Sequence, residues 1–215
     1  MTTTTVTGAA YVRAVTPTAE RAQADFRVLL HVLSRPGLLD AVHPGNGPAA
    51  LTVAAGLADV EVPTAVLTGP GEEHWARALH LATSAPAAPP ETARMVVALR
   101  PPAAAEITAL TRGDALHPEF GTRLIAAVSA LSQENEAEPR DEHMEGPEVV
   151  LALSGPGVPG TRRIRVSGLD RAVFNALAAA NADFPAGIDT FLVAADGTVA
   201  GLPRSTRIEI ENGDD

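Results

Sequence analysis

Apolar side chains recur every three or four positions after Thr16-Pro17-Thr18, a segment that offers a helix cap and a proline suited to a first helical turn. The pattern stops at Ser34-Arg35-Pro36-Gly37, where a proline and a glycine end helical geometry. We therefore expect a helix between these segments, with one buried stripe. Residues 1–15 are expected to be a flexible or loosely docked lead-in. The positions assigned to the stripe are Ala19, Ala22, Phe26, Leu29, Leu30 and Leu33.

Beyond this helix, short apolar runs alternate with Ala-rich segments and with turns that contain Pro and Gly. Short runs bounded by turn residues are typical of strands, whereas longer Ala- and Leu-rich segments favour buried helices. The alternation indicates an α/β or α+β arrangement, with residues 16–211 in a single domain. The predicted strands are 38–42, 60–68, 94–99, 122–131, 148–153, 161–166, 190–195, 198–202 and 208–210, and the further helices are 48–58, 72–82, 101–110 and 168–181.

One segment differs in composition from its surroundings. Residues 133–146 are rich in Glu, Asp and Arg. A run dominated by charged side chains has little apolar surface to bury, so we predict a mobile acidic loop there.

The C-terminal segment contains a hairpin followed by a sharp corner. Asp196-Gly197 separates two apolar runs, which is a strong hairpin signal because Gly tolerates positive φ. Pro203 cannot donate to a strand ladder, so the chain changes direction there and places Arg204, Ser205, Thr206 and Arg207 at a corner. Two guanidinium groups and two hydroxyls suit a phosphate-like anion or the carboxylates of a partner. A solvated turn is the simpler interpretation of the local chemistry.

Composition narrows the chemistry available to the chain. Aromatic residues make up only 3%, so the core has to be built from Leu, Val, Ile and Ala. The absence of cysteine excludes thiol nucleophiles and iron–sulfur ligation, and the absence of lysine excludes Schiff-base catalysis and the P-loop lysine. A net charge of −10 disfavours non-specific binding to nucleic acid. Because no apolar run suits a membrane span and the first residues lack signal-peptide features, we expect a cytoplasmic protein.

The remaining motifs do not build a catalytic centre. The six histidines show no paired metal-ligand spacing. The loop 69–71 leads into a helix that begins with Glu72 and Glu73, whose negative charges occupy the place where a phosphate would bind. The Gly-rich segment 154–160 lies between two predicted strands and so lacks the helix dipole of a dinucleotide site. We therefore predict no catalytic residue, no metal site and no cofactor.

Several segments, taken together, resemble one known family, the PhnH subunit of the bacterial carbon–phosphorus lyase complex. The C-terminal signature is carried by Phe184-Pro185-Ala186-Gly187-Ile188-Asp189 together with Pro203-Arg204-Ser205-Thr206. In chain order the resembling segments are 26–30, 33–37, 118–124, 153–157, 184–189 and 203–206. The chain departs from the family pattern in the acidic loop and in Ser205, where Thr is usual.

The resemblance implies a three-layer α/β/α sandwich with a mixed sheet, similar to the large domain of pyridoxal-phosphate-dependent transferases but without that cofactor. It also implies a subunit of an assembly that joins a phosphonate to the ribose of ATP with loss of adenine, the reaction of an alpha-D-ribose 1-methylphosphonate 5-triphosphate synthase. A later radical step needs an iron–sulfur cluster, which a chain without cysteine does not ligate, so that step belongs to another subunit. The implied partners are other carbon–phosphorus lyase subunits and a second copy of this chain, with no nucleic acid and no membrane.

Two functional hypotheses follow. The first is a non-catalytic accessory subunit, and the second is direct binding of a phosphonate or nucleotide by an Arg/Ser/Thr anion site. The C-terminal corner is the strongest candidate for a functional surface under both, more for assembly than for catalysis. The candidate ligand or interface residues are Arg204, Ser205, Thr206, Arg207, Asp189, Arg27 and Arg35.

Overall fold

The computed structural model describes residues 8–134 and 146–211. Within these ranges the chain forms helices and strands close to the predicted positions. The helices are α1 Gly8–Val15, α2 Ala19–Ser34, α3 Ala49–Ala55, α4 Glu73–Thr83, α5 Ala104–Ala109 and α6 Arg171–Ala180, and Pro118–Phe120 forms a short 3₁₀ turn. The strands are β1 Leu39–Ala41, β2 Thr64–Leu67, β3 Met95–Ala98, β4 Arg123–Val128, β5 Ala130–Gln133, β6 Glu148–Ser154, β7 Arg162–Ser167, β8 Asp189–Ala194, β9 Thr198–Leu202 and β10 Arg207–Ile210.

A six-stranded mixed sheet forms the centre of the fold, with strand order β1-β9-β8-β4-β3-β2. Neighbours among β2, β3, β4 and β8 are parallel, whereas β9 pairs antiparallel with both β8 and β1. Parallel neighbours need crossover connections, which α4 and α5 supply between the first three of these strands. The Asp196-Gly197 turn joins β8 to β9 as predicted, with Gly197 at φ +93°.

Both faces of this sheet are buried. Helices α1 to α4 cover one face, where Leu29 and Leu79 pack in one cluster with Val97 and Phe191 of the sheet. Helices α5 and α6 and a second sheet cover the other face, where Phe174 belongs to a second cluster. Strands buried on both faces consist of nearly continuous apolar residues, which explains why the apolar runs were readable as strands.

The second sheet was not expected from the sequence. It is antiparallel, with order β10-β6-β7-β5. The segment 122–131, predicted as one strand, divides at Ser129, whose backbone N–H donates to Ser167 O at 2.9 Å. Strand β5 therefore leaves the central sheet and pairs with β7. The α/β class and the mixed sheet are confirmed, but the third layer combines helices with a small sheet; the likeness to pyridoxal-phosphate-dependent transferases stays a prediction.

Residues 8–15 differ from the expected lead-in because they form helix α1. Val15 is fully buried. The ring of Tyr11 lies 4.2 Å from that of His74 and 5.0 Å from that of Trp75, measured between centroids. These contacts dock α1 on α4, and the sequence did not indicate them because a helix of only eight residues shows too few turns for a clear periodic pattern.

The buried stripe of α2 also differs from the expectation. The buried residues are Asp25, Leu29 and Val32, whereas Phe26 is 47% exposed and Leu30 52% exposed. The helix is rotated so that a carboxylate points inward, because Asp25 accepts two hydrogen bonds from His43 that compensate its burial. A count of apolar side chains alone does not anticipate an inward-facing aspartate.

A Pro- and Ala-rich segment, 84–91, lies against the first residue of the edge strand β2. Thr64 N donates to Pro86 O at 2.8 Å, and Ala88 N donates to Thr64 O at 3.1 Å. The segment therefore pairs with the sheet at this one residue.

The acidic loop predicted at 133–146 lies almost entirely outside the described residues. The two described residues at its start are held in place: Gln133 donates from Nε2 to Gly37 O at 2.7 Å, and Glu134 pairs with Arg165. Within 8–134 and 146–211, no helix combines the length and the apolar character needed to cross a bilayer.

Candidate functional site at the C-terminal corner

The C-terminal corner lies at the amino ends of the parallel strands. Strand β8 begins at Asp189, which is in register with Arg123 at the start of β4. Strand β9 runs the opposite way, and Leu202 pairs with Thr190, so the chain returns to this edge of the sheet at Arg204. Open α/β sheets usually bind ligands outside the carboxyl ends of their strands. The corner is therefore at the edge opposite to the usual ligand site of this architecture.

Arg204 forms a forked ion pair with Asp189. Its Nη2 donates to Asp189 Oδ2 at 2.7 Å, and Nε lies 3.2 Å from each carboxylate oxygen. The backbone N–H of Arg204 also donates to Oδ1 at 2.9 Å. The two side chains are only 14% and 24% exposed. A bidentate pair in a partly buried setting is the strong form of this interaction.

The remaining terminal nitrogen of Arg204 connects two neighbouring loops. Nη1 donates to Pro118 O at 2.6 Å and to Pro185 O at 3.3 Å. Glycines allow the chains to approach this closely: a Cβ on Gly187 would lie 2.7 Å from Arg204 Cβ, and one on Gly121 would lie 2.4 Å from Gly187 O. Arg204 thus joins the corner, the 118–121 turn and the 184–188 segment into one unit, which we call the arginine clamp.

Asn181 fixes the segment that precedes β8. Its Nδ2 donates to Ile188 O at 3.2 Å, and Ile188 N donates to its Oδ1 at 2.7 Å. The segment contains a cis Phe184-Pro185 bond, and the Phe184 side chain is 64% exposed. The sequence reasoning treated Asn181 only as a helix end, although an asparagine three residues before the Phe184–Asp189 signature was the available signal.

A cleft of about 540 Å³ opens beside the corner. The end of α6, the turn at Pro156 and the corner itself form its walls. Thr206 is 4% exposed, and its Oγ1 has no hydrogen-bond partner in the described part of the chain. Arg207 is exposed, and within the described ranges no carboxylate lies within ion-pair distance of it. The cleft therefore combines an available cation with hydroxyl groups.

The structure brings five of the predicted candidates together and leaves two apart. Arg204, Ser205, Thr206 and Arg207 line the cleft, and Asp189 binds Arg204 from behind. Arg27 lies on α2, which packs on the opposite face of the central sheet, and Arg35 directly follows the end of this helix; neither lines the cleft. Their assignment as ligand or interface residues stays a prediction.

The loops joined by the arginine clamp carry three exposed apolar side chains. Leu116 is 85% exposed, Phe120 47% and Phe184 64%. The guanidinium of Arg94 lies 4.9 Å from the centre of the Phe120 ring, and His117 stacks on that ring at 5.3 Å. We call Leu116, Phe120 and Phe184 the apolar edge. Large apolar side chains exposed on neighbouring loops are typical of interaction surfaces.

Nearby carboxylates keep their negative charge to low pH. Asp114 accepts from the backbone N–H groups of His117 and Leu116 at 2.7 and 2.8 Å, and these bonds lower the pKa of its carboxyl group. The pKa of Glu119 is also lowered, first by a bond to its own backbone N–H and then by His117. The rim of the apolar edge is therefore charged at neutral pH.

Comparison with known proteins agrees with these features. A family described as bacterial phosphonate metabolism protein (PhnH) matches residues 14–209. A protein of Stutzerimonas stutzeri whose name describes it as a C-P lyase subunit protein, HtxG, is 33% identical over 99 residues, which cover 46% of this chain and 43% of that protein. The chain thus matches less than half the length of this relative. Because the family match includes the arginine clamp, the cleft and the apolar edge, the resemblance seen in the sequence is confirmed, and the chain belongs to the PhnH family of bacterial phosphonate metabolism proteins.

Proposed function

We propose that this chain is a non-catalytic accessory subunit of a carbon–phosphorus lyase assembly that degrades organic phosphonates. In this role it supports the transfer of a phosphonate onto the ribose of ATP with loss of adenine, without performing that step itself. The family membership and the name of the Stutzerimonas relative support the assembly. The family resemblance supports the reaction, a cytoplasmic location and a homodimer.

The observation that carries the accessory role is that the hydrogen-bond donors of Arg204 already bind groups of the protein itself. A guanidinium has five N–H groups. Nε and Nη2 bind Asp189, and Nη1 binds two backbone carbonyls. An incoming phosphonate would have to displace a carboxylate that already occupies the fork. The signature arginine therefore acts as a structural connection between loops.

The loops that Arg204 holds are those that present the apolar edge. Fixing Leu116, Phe120 and Phe184 before binding lowers the entropy cost of docking. Exposed aromatic side chains with arginine nearby are also typical of energetically important interface residues. We therefore assign the apolar edge as the surface that contacts another subunit of the assembly.

Co-purification with the other subunits tests this assignment. Phe184→Ser and Leu116→Ser should each reduce the amount of chain recovered with the assembly by about tenfold, because one buried aromatic or leucine contributes at least ~1.5 kcal/mol at an interface. Leu81→Ser is the matched control, since Leu81 is 65% exposed and lies on α4. Equal recovery of all three variants would contradict the assignment.

Turnover of the isolated chain tests the non-catalytic role separately. Purified chain mixed with ATP and methylphosphonate should release no adenine. Adenine release by the chain alone, retained after chromatography in proportion to the protein peak, would overturn the accessory role.

The cleft supports a second candidate function, direct binding of a phosphonate or nucleotide. The specific observation is that Arg207 faces a cleft of about 540 Å³ without an ion-pair partner in the described ranges. Calorimetry with methylphosphonate and with ATP would show binding by the parent chain and about tenfold weaker binding by Arg207→Ala. Arg204→Ala serves as a comparison for loss through disturbed structure. Absence of binding by the parent chain removes this candidate.

A further inference from the structure

A second pocket lies on the other face of the central sheet, between the end of α1, the first half of α2, the loop 43–46 and α3. Its volume is about 40 Å³, whereas one water molecule needs ~10–15 Å³. It accommodates a small group and excludes a whole nucleotide. The residues that matter to the argument are Arg13, Arg21, Asp25, His43, Asn46 and Thr52. None of them lines the cleft at the C-terminal corner.

A buried carboxylate orients the histidine of this pocket. Asp25 is 5% exposed, and its Oδ1 accepts from His43 N at 2.9 Å and from His43 Nδ1 at 2.8 Å. A carboxylate in these contacts only accepts, so the proton of a neutral ring resides on Nδ1. The other ring nitrogen, Nε2, is left for the pocket or solvent. The two bonds also offset part of the cost of burying the Asp25 carboxylate.

Two arginines supply positive charge at the same place. Arg13 and Arg21 both line the pocket and are exposed, and in the described part of the chain no carboxylate lies within 4.0 Å of either guanidinium. The acidic side chain in the pocket is Asp25, which is engaged with His43. Two guanidinium groups and one carboxylate leave the pocket with an excess of positive charge.

The hydroxyl group of Thr52 gives independent evidence that a ligand binds in this pocket. Its side chain is 6% exposed, and its Oγ1 has no hydrogen-bond partner among the described residues. Gly45 passes so close that a Cβ there would lie 2.5 Å from this oxygen. A buried hydroxyl without a partner costs free energy, and native proteins seldom retain one unless something binds there.

We propose that this pocket binds the oxyanion of a phosphate or phosphonate group, with Arg13 and Arg21 as the charged ligands. The Thr52 hydroxyl and the Asn46 amide are neutral donors of the kind that complete such a site. The pocket admits the anionic head of a ligand, while the rest of the molecule stays outside. The site is independent of the accessory role and of the corner cleft, so either proposal can fail alone.

Titration calorimetry with inorganic phosphate and, separately, with methylphosphonate tests this site. The parent chain should bind at least one of them below about 10 mM, and Arg13→Ala and Arg21→Ala should each weaken binding about tenfold. Because both side chains are exposed and form no ion pair within residues 8–134 and 146–211, these variants should fold normally, which circular dichroism verifies. Arg77→Ala, an exposed arginine on α4, is the matched control and should leave the affinity unchanged.

Two further variants distinguish this site from its alternatives. Thr52→Val keeps the size of the side chain and should weaken binding several-fold without lowering the thermal midpoint, since no hydrogen bond is lost in the free protein. Arg207→Ala should leave phosphate binding unchanged. Binding lost in Arg207→Ala but kept in Arg21→Ala would place the anion at the corner and overturn the proposal. Equal affinity in all variants, or no binding by the parent at about 10 mM, would overturn it too.

Discussion

Arg204→Ala removes the arginine clamp and is the most direct test of its structural role. The substitution deletes the forked pair with Asp189 and both bonds to backbone carbonyls. Asp189 is 24% exposed and would keep only the backbone N–H of residue 204 among the donors of the corner. Removing one partner from a fully buried pair costs about 3–5 kcal/mol. Because this pair retains some exposure to solvent, we expect a loss of about 3 kcal/mol in the free energy of unfolding.

The assay is chemical denaturation in urea together with thermal melting. For a chain of this size, about 3 kcal/mol corresponds to a fall of roughly 6–12 °C in the melting midpoint. Asp189→Asn keeps one acceptor and should cost less than half as much. The double variant Arg204→Ala/Asp189→Ala should cost less than the sum of the single variants, since the residues are directly coupled.

Arg207→Ala is the matched control, because this arginine occupies the same corner but is exposed and outside the clamp. It should change the free energy of unfolding by less than about 0.5 kcal/mol. If Arg204→Ala were as stable as Arg207→Ala, the clamp would contribute nothing to the fold. The inference that Arg204 is unavailable to a ligand would then be refuted as well.

Three further perturbations test other parts of the fold. Hydrogen bonds from Arg100 lower the pKa of Glu106 from 4.5 to about 2. The stability that this ion pair contributes is therefore complete above pH 5 and is lost as the pH falls towards 2. In urea melts at different pH, Glu106→Gln should cost about 1 kcal/mol at pH 7 and nothing near pH 2. Gly187→Ala should cost at least about 2 kcal/mol in thermal melts, because the new Cβ would lie 2.7 Å from that of the clamp arginine. Leu29→Ala should cost about 2–5 kcal/mol and Leu30→Ala less than about 0.5, since their exposures are 3% and 52%.

Controls for these variants come from the same chain. Glu91→Gln alters an exposed glutamate outside the described ion pairs and should leave the pH profile of stability unchanged. Gly8→Ala adds a Cβ that meets no other described part of the chain within 4 Å beyond its own helix, and it should be neutral. A loss for Leu30→Ala as large as for Leu29→Ala would contradict the observed rotation of α2.

Most of the strand and helix positions followed from the sequence because the central sheet is buried on both faces. The local sequence alone predicts the strand at Arg94–Leu99 and the hairpin at Asp196-Gly197. The division of 122–131 at Ser129 did not follow, because it depends on pairing with β7, which begins more than thirty residues later. Tertiary pairing of this kind leaves no local signal.

The candidate site was also predictable only in part. The corner was predictable because Pro203 interrupts a strand pattern and four polar residues follow it. The role of Arg204 was not, because its partners at Asp189, Pro118 and Pro185 are brought together only by the fold. The inward orientation of Asp25 was hidden for the same reason, since its compensation comes from His43 in a different element.

The segment 84–91 has a consequence for how this protein can assemble. Strand β2 ends the central sheet on one side, and its first residue is already paired with Pro86 and Ala88. On the other side, β1 spans only Leu39–Ala41. With one border partly occupied and the other very short, the central sheet offers a poor template for a foreign strand. Growth by continuing the central sheet from one molecule into the next is therefore disfavoured.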